Sequence, residues 1–470
     1  MSLFANYSVS MKLFEQVGVG LFLLSSGLLW AQDNTPSMPV PAPQVPALTG
    51  LAANPDPMLI PPPVSGQVFP TLFTSEERSN YLRGGLAFTS AYTNNALGSV
   101  NGEPVSDIAY SVFPTVALDE TTPRMHTLVN YAPGFTFYQH TSSRNEQDQN
   151  ASIDFAYRLS PHVTFSARDL FQKSSNVFNQ PDLASAEGVS GGAAVANFSV
   201  IPPIADRLSN SGNVGIVAQI AANAMVGASG IFTNLHYPNE AEVPGLFDTS
   251  SQAGEVFYSL RVSPMHYLGV TYQYQRLLSY PTGGENETQT QAVLFFYTLY
   301  PNSRFSISFF GGPQYANAGP QLSGSTAVLS AASRSWNPAA GASLSWQRRV
   351  TTLAMSYSHI ISNGGGLPGA VRLDNASLSI RQQLTRTLRA SLTGGYAQND
   401  LLTSAVPNDN GHTLSATPIL EQQFRQHVTV QLGYTRLHQD YSNVPVISQT
   451  PDTNREFISV SYEFSRPLGR

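Results

Sequence analysis

From about residue 81 onward, apolar and polar residues alternate along the chain with a period of two. Val428-Thr429-Val430-Gln431-Leu432-Gly433-Tyr434 and Ile458-Ser459-Val460-Ser461-Tyr462-Glu463-Phe464 both show it. So do Leu268-Gly269-Val270-Thr271-Tyr272-Gln273-Tyr274 and Leu353-Ala354-Met355-Ser356-Tyr357-Ser358. Successive side chains of a β-strand point to opposite faces, so each segment predicts a strand with one apolar and one polar face. Tyr157, Tyr258, Tyr357, Tyr396, Tyr434 and Tyr462 fall at or near strand ends on the apolar face. Tyrosine there suits a membrane interface, with the apolar face turned to lipid. In a soluble sandwich the same face would pack on a second sheet.

The links between candidate strands are of two kinds. Very short ones fall at Asp119–Pro123, Leu159–Pro161, Ala221–Ala224, Ser263–Met265, Pro301–Ser303, Gln347–Arg349, Leu384–Arg386 and Phe424–Gln426. Longer polar ones fall at 95–104, 140–149, 174–210, 236–252, 279–286, 316–336, 363–370, 399–410 and 439–453. The two kinds alternate without a break, which gives roughly eighteen strands. The pattern predicts an all-β fold: a transmembrane, antiparallel, up-and-down β-barrel with short periplasmic turns and long outer loops. It also predicts a place in the bacterial outer membrane, in contact with lipid and lipopolysaccharide.

Composition narrows the choice. Only 11% of the 470 residues are charged, while 41% are hydrophobic. A soluble domain carries roughly 25% charge. A barrel with one face in lipid and one in water averages out as this chain does. There is no cysteine, which excludes a disulfide scaffold and thiolate metal sites. The net charge is -6, and no basic block points to nucleic acid. No metal-ligand spacing, phosphate loop or paired-carboxylate motif stands out, so no cofactor is expected. His359 follows Ser356 and Ser358, but both serines differ from it in parity, so no Ser-His pair converges on one face. An enzyme is not expected.

Three domains are expected. Residues 1–31 read as a cleaved signal peptide, with Lys12 ahead of an apolar run from Val17 to Trp30 and Ala31 before the cleavage point. An uncleaved anchor helix is the alternative, but the run is shorter than the roughly 20 residues a span needs. Residues 32–80 are rich in proline, which opposes both helix and ladder. They read as a periplasmic tether, or alternatively as a tail that enters the barrel. They are too short for the folded plug of a barrel of about 22 strands. Residues 81–470 form the barrel. Tyr462 and Phe464 supply the aromatic pattern read by the barrel-insertion machinery, although Ser465 to Arg470 follow them.

Thr122-Pro123-Arg124, Tyr131-Ala132-Pro133-Gly134-Phe135-Thr136-Phe137-Tyr138 and Tyr157-Arg158-Leu159-Ser160-Pro161-His162 mark turns and girdles. Together they resemble the outer-membrane β-barrel porins of acidobacteria and relatives. The resemblance runs from Tyr81 to the end and implies fold and location more than cargo. Some similar barrels accompany exopolysaccharide export, so it also implies polysaccharide export partners.

A porin-like channel for passive passage of hydrophilic solutes follows as the expected function, with a non-conducting structural or adhesive barrel as the alternative. Parity assigns a pore lining: Asp154, Arg168, Arg261, Gln273, Gln275, Arg381, Arg389, Glu421, Gln431 and Glu463. Arginines outnumber carboxylates in this set, which predicts a mild preference for anionic or sugar-like solutes. The plainer reading is that these charges pair with one another and hydrate the wall. Arg276 and Arg436 have outward parity beyond Tyr274 and Tyr434, where they would contact lipopolysaccharide phosphates or stand as solvated girdle charges. The longest loop, 174–210, is expected either to fold inward as a constriction or to form an outer lid.

Overall fold

The computed structural model describes residues 80–468, apart from 97–103, 175–177, 179–198, 203–204, 282–283, 303, 324–326, 331, 403–409, 426, 442–443, 445–446 and 448–451. The expected signal peptide, nearly all of the proline-rich segment and the middle of the 174–210 loop lie outside the described residues. Eighteen strands form one antiparallel ring. They are β1 (Tyr81–Thr93), β2 (Asp107–Thr121), β3 (Met125–Tyr138), β4 (Glu146–Ser160), β5 (Val163–Ser174) and β6 (Arg207–Ala221), followed by β7 (Ala224–His236), β8 (Asp248–Ser263), β9 (His266–Tyr280), β10 (Asn286–Asn302) and β11 (Phe305–Ala318). A small hairpin, β12 (Gln321–Ser323) and β13 (Ala327–Ser330), stands apart from the ring. The ring continues through β14 (Ser333–Gln347), β15 (Thr351–Ser362), β16 (Val371–Gln383), β17 (Leu388–Leu401), β18 (Asn410–Phe424), β19 (Val428–Tyr441) and β20 (Asp452–Pro467). It closes where β1 pairs with β20, from Tyr81 opposite Pro467 to Thr93 opposite Arg455. Closure leaves no strand edge unpaired, which is what a sheet in hydrocarbon requires.

The outward face carries the apolar residues. Leu86, Phe88, Tyr131, Ile153, Val214, Tyr272, Phe295, Met355, Leu414 and Tyr462 are all exposed, and the belt they belong to runs around the whole ring. Water would not tolerate so large an apolar surface, and lipid requires it. The short turns stand at one end and the longer connections at the other. The short-turn end is therefore periplasmic, and the protein is an outer-membrane β-barrel.

Two local devices were not read from the sequence. Register slips by one or more residues near the turns after β4, β6, β8 and β10, between Arg158 and Ser160, Gln219 and Ala221, Arg261 and Ser263, and Leu299 and Asn302. Such bulges bend a strand as it enters a tight turn. On the inward face, Phe257, Phe296, Phe310 and Phe457 each stand opposite a glycine: Gly227, Gly269, Gly341 and Gly433. A Cβ at any of the four would come 2.2 Å from a ring atom. Each ring thus lies flat on the neighbouring backbone, which fills the space a missing side chain leaves.

Candidate functional site

The register puts all ten of the expected lining residues on the face opposite the apolar belt. Many of their charges are paired there. Arg168 Nε meets Asp154 Oδ1 at 3.2 Å, and Arg389 Nη1 donates to Glu421 Oε1 at 3.1 Å. Gln431 Nε2 donates to the other oxygen of Glu421 at 3.3 Å. Arg381 lies near Arg389 and Glu421, and Glu463 near Arg83 and Glu421. Arg261 has no ion pair among the described residues. Gln273 Nε2 donates to Glu255 at 3.1 Å.

Sequence reasoning missed more than half of the inward arginines and carboxylates among the described residues. Arg83, Arg158, Arg207 and Arg455 share this face, as do Asp107, Asp119, Glu146, Asp148 and Glu255. With them included, carboxylates balance arginines, and the arginine excess expected from the shorter set disappears. Arg83 pairs with Asp119 at 3.2 Å, and His126 approaches the same carboxylate at 3.3 Å. The parity rule would have found these residues. All but Glu255, in the middle of β8, lie close to turns and loops, where the alternating segments were cut short. The charges are also unevenly spread. Among the described residues, the inward faces of the ring strands from β9 to β15 carry no Asp, Glu, Lys, Arg or His. The inward charges lie on the rest of the ring, from β16 through β20 and on from β1 to β8.

At the outer end, segments of four connections converge. Val200, Ala205, Tyr237, Val243, Leu246, Leu367, Val444 and Ile447 pack with the inward residues Leu235, Val371, Leu373, Ala397 and Tyr441. Phe247 N donates to Gly366 O at 2.7 Å, joining the β7–β8 loop to the β15–β16 loop. Ser279 and Asn286, on β9 and β10, both donate to Pro368 O at 2.7 Å. Tyr237 is buried in this bundle, and burial pushes its hydroxyl up to about 12.

The β5–β6 connection is held on the far wall. Ile201 N donates to Gln439 Oε1 at 3.0 Å, and Gln439 Nε2 donates back to Ile201 O at 3.0 Å. Thr413 Oγ1 donates to Ser199 O at 2.7 Å, and Asn399 Nδ2 donates to Ser199 Oγ at 2.7 Å. Arg207 Nη1 donates to Val200 O at 3.1 Å. The gripping residues come from β17, β18 and β19, nearly opposite β5 and β6 in a ring of 18 strands. The described part of the longest loop therefore folds inward across the mouth.

On the outward face, Arg276 is already paired. Its Nε donates to Glu287 at 2.8 Å and its Nη2 donates to the same carboxylate at 3.2 Å, with Glu285 at 3.7 Å. Arg436 pairs with Asp452 at 3.2 Å. His359 meets Asp374 at 2.8 Å, and the Tyr357 hydroxyl donates to the same carboxylate at 2.7 Å. Ser356 and Ser358 stand on the opposite, inward face, where Ser356 bonds to Ser377.

No family model matches the chain, and no curated protein matches it. Solved structures do. Acinetobacter baumannii OccAB4 is 10% identical, with a TM-score of 0.39, over 83% of this chain and 100% of that one. Pseudomonas aeruginosa OccK2 (OpdF) is 11% identical, with a TM-score of 0.40, over 82% and 98%. The ferric-catecholate import receptor Fiu from E. coli K12 is 9% identical, with a TM-score of 0.40, over 81% of each chain. At these values the likeness goes no further than barrel architecture.

Proposed function

We propose that this barrel is a passive outer-membrane channel for small hydrophilic solutes. The observation that carries the reading is the inner wall: a closed ring of 18 strands whose inward side chains are largely hydroxyls, amides and paired charges. Such a wall lowers the cost of moving polar groups through hydrocarbon and needs no energy source. Asp154, Arg168, Arg261, Arg381, Arg389, Glu421 and Glu463 line it in this reading, with water and solute exchanging along the paired charges. The outer rim, including Arg276 and Arg436, rests against lipopolysaccharide.

The loop bundle across the mouth argues for small cargo. In this reading the four packed segments, one of them held by the reciprocal Ile201–Gln439 bonds, narrow the entry, which suits a small molecule and not a polymer. Nothing in the fold supports polysaccharide passage. Swelling of proteoliposomes in arabinose, raffinose and dextran tests this. Fast swelling with arabinose, slower swelling with raffinose and none with dextran is expected. No swelling with arabinose would leave the non-conducting barrel, a reading favoured by the apolar packing of Val200, Leu246, Leu367 and Ile447 in the mouth.

A further inference from the structure

The two ends of the barrel treat their arginines differently. At the outer rim, Arg276 and Arg436 are paired with Glu287 and Asp452. At the periplasmic rim, exposed arginines follow one another along one side of the ring: Arg304 in the turn after β10, Arg348 and Arg349 after β14, Arg386 after β16, Arg425 after β18 and Arg466 near the end of β20. The turns after β4, β6 and β8 carry none. Among the described residues no arginine of this arc has an ion pair, and no Asp or Glu occurs in any of the short turns. The nearby carboxylates Asp119 and Glu421 face inward and are paired with Arg83 and Arg389, and Glu120 stands beyond the arc on β2. Like charges in neighbouring turns repel one another, so the arc calls for a countercharge from outside the chain. Exposed apolar residues sit beside it: Val350 next to Arg349, Leu384 two before Arg386, Phe424 next to Arg425 and Phe464 two before Arg466. One recess is built into the arc. Asn302, Arg304, Trp346 and Arg348 line an open-sided space of about 470 Å³. Gln347 N donates to Arg304 O at 2.7 Å, which ties the β14–β15 turn to the β10–β11 turn, and Arg304 N donates to Asn302 Oδ1 at 2.9 Å. Trp346 stands opposite Phe305 and shares the outward parity of the exposed Trp336, so this wall of the recess belongs to the lipid-facing side.

We propose that the recess formed by Arg304, Trp346 and Arg348 binds the headgroup of an anionic phospholipid in the periplasmic leaflet. The site stands apart from the channel reading above and does not depend on it. The chemistry is matched on three counts. Guanidinium forks suit phosphate oxygens, and two of them converge on this space. Tryptophan prefers the membrane–water interface, where its ring meets acyl chains and its N–H meets polar groups. The apolar neighbours of the arc sit at acyl level, which leaves the guanidinium groups at headgroup level. An acidic periplasmic protein would meet the same charges and leave Trp346 and Phe305 unmatched. A zwitterionic headgroup carries its own cation beside the phosphate, so the recess favours a lipid with net negative charge.

Trp346 is itself the probe. The full chain with Trp30→Phe and Trp336→Phe keeps it as the sole tryptophan. This parent is refolded into phosphatidylcholine vesicles that hold a minor share of either dibrominated phosphatidylglycerol or dibrominated phosphatidylcholine, whose bromines quench a tryptophan they touch. Phosphatidylglycerol should take the site about fivefold more readily than phosphatidylcholine, the scale of one arginine at a charged membrane surface. Arg304→Ala/Arg348→Ala in the parent should bring that ratio to about one. Arg425→Ala, on the arc but outside the recess, should leave it in place. All three arginines are exposed and have no ion pair among the described residues, so each variant should keep the parent's urea midpoint, and a lost preference is then not lost folding. Equal quenching by the two lipids in the parent overturns the proposal. So does a preference that survives in the double variant, or one that Arg425→Ala removes as fully.

Discussion

Gln439 makes the clearest single-residue prediction. Its side chain reads both the N–H and the C=O of Ile201, at 3.0 Å each, from the wall opposite the loop's origin. Replacing it with alanine removes both bonds. Each contributes about 1 kcal/mol net, and leaving the buried Ile201 groups unpaired costs more if the segment stays in place. Local opening of the segment should therefore become easier by about 2 kcal/mol, roughly thirtyfold in the open population. Amide hydrogen exchange in detergent micelles reads this directly, since exchange from a locally opened segment follows its opening free energy. Exchange of the amides of residues 199–201 should speed up by about that factor in Gln439→Ala, while β-ladder amides hold. Unchanged exchange in Gln439→Ala would refute the claim that the far wall holds this loop.

Gly269→Ala should destabilise the barrel by about 1–3 kcal/mol in urea titration, because its Cβ would sit 2.2 Å from both a Phe296 ring atom and the Tyr258 carbonyl oxygen. Gly230→Ala, whose nearest neighbour is a backbone oxygen at 4.0 Å, should be close to neutral in the same titration. The balanced inward charges predict a reversal potential near zero in a KCl gradient, and Arg168→Ala, which leaves Asp154 without its partner, should move it toward cation selectivity; a strongly anion-selective wild type would contradict the balance. Tyr237 is held protonated by burial up to about 12, above the roughly 10 of an unfolded tyrosine. The mouth's packing is thus fully stabilised below about pH 10 and loses this contribution as the pH rises through 12, so the difference in ultraviolet titration between the wild type and Tyr237→Phe should show one tyrosine ionising well above pH 10, together with loosening of the loops.

Alternation and link length made the barrel legible before any coordinates. The strand count, the two classes of connection and the inward parity of residues such as Asp154 and Arg389 all follow from a period of two and the positions of the turns. Pairing did not follow. Parity says that Arg168 and Asp154 share a face, but only the register shows them opposite each other on neighbouring strands. The true charge balance was hidden because Arg83, Asp119, Asp107 and Arg455 sit in the first or last residues of their strands, where a short segment shows no clear alternation. The clamp on Ile201 was out of reach altogether. Gln439 is 238 residues away in the chain, and a glutamine on a polar face carries no local sign of what it will hold.

Single-channel recording of the refolded full chain in a planar bilayer shows whether the barrel conducts. Discrete conductance steps in KCl with weak ion selectivity are expected, with longer open times in Gln439→Ala, where the loop across the mouth is loosened. A membrane that stays silent with both proteins, although each is folded and inserted, would contradict the channel and leave a structural barrel.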